Sequence, residues 1–193
     1  MLVAVVSVLV ALLIACNDKN SSSRKDDDAP VVDTEIMAFL SEARALHHTA
    51  NMKEDANDVD GAIVAMNRLV AARRPHANRP PHETPEVEEV LADTYARLGE
   101  LQLKKGDLDT ADVALQKGLE RAPEPTYFRG HLIEVQGLVE EQRTKRFADA
   151  GNKEEADKSR ARAIALLEEV VKIQSQVIER SLGAKDAGVE AAK

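Results

Sequence analysis

The chain has 193 residues, with 26 Lys or Arg against 34 Asp or Glu, so its formal net charge at pH 7 is −8. This acidic balance argues against a nucleic-acid-binding or polybasic membrane-surface protein, because both functions rest on Lys and Arg neutralising phosphate groups. Aromatic residues make up 3% of the chain and tryptophan is absent, so the core must consist of Leu, Val, Ile and Ala.

The N-terminal segment MLVAVVSVLVALLIAC is apolar from Leu2 to Ala15 apart from Ser7, and it carries no charge. These 14 residues would rise about 21 Å as a helix, less than the ~30 Å hydrocarbon core of a membrane. The segment therefore predicts a signal peptide over residues 1–15 rather than a transmembrane helix. Residues 16–32 are mostly polar, which predicts a flexible tether.

The chain's only cysteine, Cys16, closes the apolar run. The residues LIAC at 13–16 resemble the lipobox of bacterial lipoproteins. That resemblance implies cleavage after Ala15, lipid on the Cys16 sulfur and acylation of the new amino group. It also implies a membrane-anchored protein on the extracytoplasmic side of a bacterial envelope, in the periplasm or at the cell surface. The basic residue that usually precedes the apolar run in that family is absent, so an upstream start stays open.

Residues 33–182 predict an all-α domain of six helices, because apolar residues recur at helical spacing throughout. Thr84 is expected to cap the third helix, since Pro85 and acidic residues follow it. Gly183 is expected to end the last helix in a left-handed conformation, leaving residues 183–193 as a disordered tail. The first expected helix runs from Asp33 or Thr34 to about Lys53, and the second follows Asp58 or Asp60 and includes Val70. The third runs from Pro85 past Leu101, and the fourth from about Thr110 to Arg121. The fifth follows Pro125 and ends near Gly151, and the sixth comes after it and reaches Leu182.

Three similar segments separate the paired helices: NDVDGA at 57–62, GDLDTA at 106–111 and GNKEEA at 151–156. In each, the first residue is suited to a positive φ and the next residues to a turn and a helix N-terminus. The acids therefore predict helix punctuation rather than a metal site. An EF-hand loop beginning before Asp58 is the alternative, but two of its ligand positions hold Ala56 and Asn67.

The middle unit resembles a tetratricopeptide repeat, on the residues Tyr95, Leu98, Gly99, Gln102, Ala111, Leu115, Gly118 and Pro123. A first unit matches at Ala50, Ala62 and Met66, and a third keeps Phe147, Ala156 and Ala163 but has Arg143, Arg160 and Glu168 at positions for apolar residues or proline. The resemblance implies about three stacked helical hairpins, the last with elongated helices. It also implies a partner-binding face that includes Asp93, Ala96, Glu100, Tyr127 and Glu134.

Other polar residues suggest two further sites. Arg73, Arg74 and Arg79 lie in a segment without acids, residues 61–82, which indicates either a contact for an acidic partner or anionic lipid, or favourable charge at a helix C-terminus. Two interpretations stay open for His76, His82 and Glu83: they form a zinc site, or they belong to an ordinary exposed loop.

Catalysis and cofactor binding are not indicated, because we find no Gly-rich phosphate loop, no G-x-S-x-G and no H-E-x-x-H. The expected function is therefore a lipid-anchored envelope adaptor that binds a protein or peptide partner and needs no cofactor. One alternative is a structural spacer or oligomerisation module without a peptide groove. A cell-wall-acting enzyme is the third.

Overall fold

The computed structural model describes residues 33–190, with side chains through residue 183. The expected signal peptide, Cys16 and the tether lie outside the described residues. Within the described range the chain is helical and contains no strand, which confirms the all-α prediction for that range. The helices are α1 (Thr34–Asp55), α2 (Val59–Val70), α3 (Pro85–Lys105), α4 (Leu108–Arg121), α5 (Tyr127–Asp149) and α6 (Lys153–Glu190), with a short 3-10 helix at Pro81–Glu83.

Three elbows of the same geometry join α1 to α2, α3 to α4 and α5 to α6. One or two residues after the first helix of each pair ends, the backbone has a positive φ: 59° at Asn57, 80° at Gly106 and 75° at Gly151. Only glycine, and to a lesser degree asparagine, enters this region at small cost. Local backbone preference therefore sets where each helix stops.

The residue after each positive φ caps the next helix. The carboxylate of Asp58 accepts a hydrogen bond from the Gly61 N–H at 2.9 Å, and that of Asp107 accepts one from the Thr110 N–H at 3.1 Å. The side chain of Asn152 accepts from the Glu155 N–H at 3.4 Å. The elbow acids thus satisfy first-turn backbone donors, as the sequence predicts.

Packing places α1, α3 and α5 side by side. The middle helix α3 contacts α1, α2, α4 and α5, and α6 packs only on α5 among the described elements. One core cluster lies among α1, α2 and α3, and a second among α3, α4 and α5. Gly118 lets α4 approach closely, because a Cβ there would lie 2.9 Å from the Tyr95 Cβ and even nearer the Leu132 side chain.

Two helix ends differ from the prediction. Thr84 occupies the N-cap position of α3, but its side chain makes no capping hydrogen bond. Its N–H instead donates to the Pro81 carbonyl in the 3-10 turn, and its carbonyl accepts from Val87. The last helix does not stop at Leu182, because it continues through Gly183 to Glu190. Of the helices described, none is both long and apolar enough to cross a membrane.

Candidate functional site

Polar side chains of α1, α3 and α5 approach one another where these helices lie side by side. On α3, Asp93, Arg97 and Glu100 are spaced by four and three positions, which places them on one helical face. We name this surface the polar strip and define it as His47, Glu54, Asp93, Thr94, Arg97, Glu100, Tyr127, His131 and Glu134.

Arg97 links the first two helices of the polar strip. Its guanidinium forms an ion pair with Glu54 of α1 and one with Glu100 at 2.8 Å, and it lies 3.3 Å from the Asn51 side-chain oxygen. Burial opposes the charge, but hydrogen bonds and the nearby charges of Glu100 and Glu54 raise the pKa of Arg97 above its ordinary value. The second oxygen of Glu54 pairs with Lys104 at 3.1 Å, so the carboxylate is held from two sides.

His131 links α3 to α5. Its Nε2 lies 3.3 Å from a Glu100 oxygen, and its Nδ1 lies 3.6 Å from an Asp93 oxygen, which is an ion-pair distance rather than a hydrogen bond. The carboxylate of Asp93, followed by that of Glu100, raises the pKa of His131 to about 10. The ring is therefore a cation at neutral pH, and a histidine held in that form is a poor general base.

His47, at the α1 end of the strip, has the opposite character. Its Nε2 lies 3.2 Å from the Thr94 hydroxyl oxygen, and burial lowers the pKa of the ring. Thr94 itself is fully buried and donates to the Val90 carbonyl at 2.7 Å. The strip therefore contains one neutral and one charged histidine at pH 7, because only His131 faces two carboxylates.

Tyr127 is the exposed aromatic residue of the strip. Its side chain is 57% exposed, and its ring lies 6.2 Å from the His131 ring and 5.6 Å, edge to face, from that of Phe128. Glu134, one helical turn after His131, is also exposed. The structure thus brings Asp93, Glu100 and Tyr127 around His131, with Glu134 on the same helix.

Ala96 corrects the expected set of contact residues. It is 0% exposed and belongs to the core cluster of α3, α4 and α5, so it offers a partner no surface. The reason is the central place of α3, which is covered by four other helices. The contact residues expected from the sequence did not include Arg97, Glu54 or His131. The spacing of the charged residues on α3 could have indicated a charged helical face. It could not indicate which side chains of α1 and α5 pair with that face.

The three arginines of the acid-free segment do not share one role. Arg73 and Arg79 are exposed, but Arg74 forms an ion pair with Glu88 of α3. Glu88 is only 8% exposed and also binds Arg121 of α4 at 3.0 Å. Arg74 therefore neutralises a buried carboxylate and joins the loop after α2 to the core.

His76 is also engaged within the fold. Its Nε2 lies 2.6 Å from the Asp33 carboxylate, and its Nδ1 lies 3.6 Å from Glu35, so it ties the loop to the start of α1. His82 and Glu83 are exposed in the 3-10 helix. Among the residues the structure describes, no three His, Cys, Asp or Glu side chains converge as a metal site would require.

A groove of about 450 Å³ lies on the other side of α5, between α4 and α6. Arg143 spans it, with ion pairs to Asp112 at 2.5 Å and Glu140 at 2.7 Å. Glu140 also binds Arg162 of α6 at 2.9 Å. These charges compensate one another across three helices, so the groove has no free charge that would select a ligand.

No protein-family model, no curated protein and no solved structure matches this chain. The geometry of the polar strip and the sequence patterns are therefore the basis for inferring a function.

Proposed function

We propose that this protein is a lipid-anchored adaptor of a bacterial envelope, which binds a protein or peptide partner on the polar strip of stacked, tetratricopeptide-like hairpins. The observation that carries the proposal is the side-by-side placement of α1, α3 and α5, which builds one continuous polar surface from the first helix of each hairpin. Stacked hairpins of this kind commonly present such a surface to extended ligands.

The chemistry of the strip supports a polar partner. Glu134 and Tyr127 are exposed, and the carboxylates of Asp93 and Glu100 are partly exposed although they also bind His131. Tyr127 supplies a rigid amphipathic ring, the type of side chain that contributes most at protein interfaces. A partner segment with hydrogen-bond donors or a basic residue would match these acceptors.

The anchor part of the proposal rests on the lipobox resemblance at Cys16. Cys16→Ser removes the thiol that would carry the lipid, so it should release the protein from membranes or block its processing. Membrane fractionation with intact-mass measurement checks this. A Cys16→Ser chain with unchanged membrane binding and unchanged mature mass would refute the anchor.

The binding part is tested by a crosslinked pull-down from native membranes with matched charge reversals. Glu134→Lys and Tyr127→Ala alter the strip, whereas Glu120→Lys makes the same charge change on the exposed face of α4. We expect the partner captured by the wild-type chain to be lost at least tenfold with the strip variants and retained with Glu120→Lys. Equal capture by all four chains would refute the strip as the binding surface.

A structural spacer or oligomerisation module is the second candidate. It is favoured by α6, which extends well beyond the length of its hairpin partner α5 and exposes several large apolar side chains.

A further inference from the structure

An apolar stripe follows the exposed side of α6. We name it the α6 stripe and define it as Ile164, Leu167, Val171, Ile178 and Leu182, whose side chains are between 40% and 68% exposed. It extends over the 19 residues from 164 to 182, and its two ends lie about 27 Å apart along the helix. The α5-facing side of the same helix is a different one, formed by the buried Ala156, Ala163 and Ile173.

Three residues of the stripe repeat every seven positions. Ile164 and Ile178 each lie seven positions from Val171, so these three are symmetric about Val171. Leu167 and Leu182 lie outside this repeat, because the positions that mirror them hold Ser175 and Arg160. A seven-residue apolar repeat is the seam along which two helices pack. A symmetric seam fits an antiparallel pairing of two identical helices, because each isoleucine of one copy then meets the other isoleucine of the second copy.

We propose that α6 pairs antiparallel with α6 of a second copy of this chain, about a two-fold axis at Val171. Such an isologous contact uses the same surface on both copies and closes at a dimer. The proposal is independent of the polar strip, because the strip belongs to α1, α3 and α5.

The charges beside the stripe favour this orientation. Glu168 and Lys172 are both exposed, and at 100° per residue they lie about 60° and 100° around the helix from Val171, on the same side. In the antiparallel pair, Glu168 of one copy and Lys172 of the other differ by about 3 Å along the axis, and the two-fold axis makes this contact twice. A parallel pair in register would have its two-fold axis along the helices, so the Glu168 and Lys172 of one copy would lie on the opposite side of the seam from those of the other copy, and this contact could not form.

A head-to-tail contact with the first hairpin is a poorer match. The large exposed apolar residues of the first hairpin are Met37 and Met52 on α1 and Val64 on α2, and no two of them are seven positions apart. Such a heterologous contact would also leave an α6 stripe uncovered at one end of every assembly that does not close into a ring.

Disulfide trapping in the full chain, purified in detergent, tests the pairing. Cys16→Ser first removes the native thiol, so that each introduced cysteine is the only one. Val171→Cys chains should crosslink to one another under mild oxidation at least tenfold faster than Val113→Cys chains. Val113 on α4 is the matched control, because it is also a valine and is 55% exposed.

Orientation is read from a second pair of variants. A mixture of Ile164→Cys and Ile178→Cys chains, one of them tagged, should form the mixed disulfide at least tenfold faster than either variant forms its own. Ile164→Cys chains that crosslink to themselves as fast as in the mixture would overturn the antiparallel pairing.

Two further results decide whether α6 pairs at all. Val171→Cys crosslinking no faster than Val113→Cys would overturn the proposal, as would a monomeric mass of the wild-type chain by light scattering at concentrations where trapping occurs. Chains with Glu134→Lys in the polar strip should still crosslink through Val171→Cys. Failure of partner binding and failure of α6 pairing are thereby separate outcomes.

Discussion

Replacing His131 by glutamine removes the cation that joins α3 to α5, and its effect on stability should depend on pH. The free ring has a pKa of 6.5, whereas Asp93 and Glu100 raise it to about 10 in the folded chain. The folded state therefore binds the proton more tightly than the unfolded state does. The contribution of this proton to the free energy of unfolding is fully present below pH 6.5 and is lost as the pH rises towards 10.

The magnitude follows from the same values. A rise of the pKa from 6.5 to about 10 sets an upper limit of about 5 kcal/mol, at ~1.36 kcal/mol for each pH unit. The side chains of Asp93 and Glu100 are 37% and 32% exposed, so water screens part of the attraction. We therefore expect about 1–3 kcal/mol.

The measurement is urea unfolding followed by far-ultraviolet circular dichroism at pH 6 and pH 9.5. The wild-type chain should have a larger free energy of unfolding than His131→Gln. This difference between the two chains should be about 1–3 kcal/mol greater at pH 6 than at pH 9.5. His48→Gln is the control, because it makes the same substitution at an exposed position of α1.

Two results would refute the reasoning. The first is a stability difference between wild type and His131→Gln that stays constant between the two pH values. The second is an NMR titration in which the His131 ring loses its proton at or below pH 6.5, since Asp93 and Glu100 would then not hold the cation.

Three further substitutions test the fold around the site, all by thermal and urea unfolding. Glu88→Gln should lower the free energy of unfolding by about 3 kcal/mol, because two arginines lose a buried carboxylate; a change below about 1 kcal/mol would contradict this. Gly118→Ala should lower the free energy of unfolding by about 1–2 kcal/mol, because the cost of overpacking exceeds the gain in helix propensity. Gly183 has open space around it, so Gly183→Ala should leave the free energy of unfolding unchanged or raise it by up to about 1 kcal/mol. Equal effects of the two alanines would be inconsistent with close packing at Gly118. Asp107→Ala should lower the melting temperature and Asp109→Ala should not, because only Asp107 caps α4 and Asp109 is fully exposed; the reverse order would show that the cap is not the stabilising feature.

The helices and elbows could be predicted from the sequence because their causes are local. A residue that accepts a positive φ, followed by a capping side chain, marks an elbow within a few positions, as at Gly106 and Asp107. The end of α6 was not predictable in this way. Gly183 permits a left-handed cap, but it also tolerates the helical conformation, and helix-forming residues follow it.

The polar strip was predictable only in part. Asp93, Glu100 and Tyr127 were expected at a binding surface, but Ala96 was expected there too and is buried, since α3 is enclosed by four helices. The cation of His131 depends on the carboxylates of Glu100 and Asp93, which lie 31 and 38 positions earlier in the chain, so local sequence does not reveal this pairing.

The sequence by itself determined that residues 33–182 are helical and where the three elbows lie, because each of these choices is made within one or two turns of backbone. Only the tertiary structure decided which charges meet. Electrostatic pairing depends on distance in space and on burial, and the packing of α1, α3 and α5 sets both for Arg97 and His131.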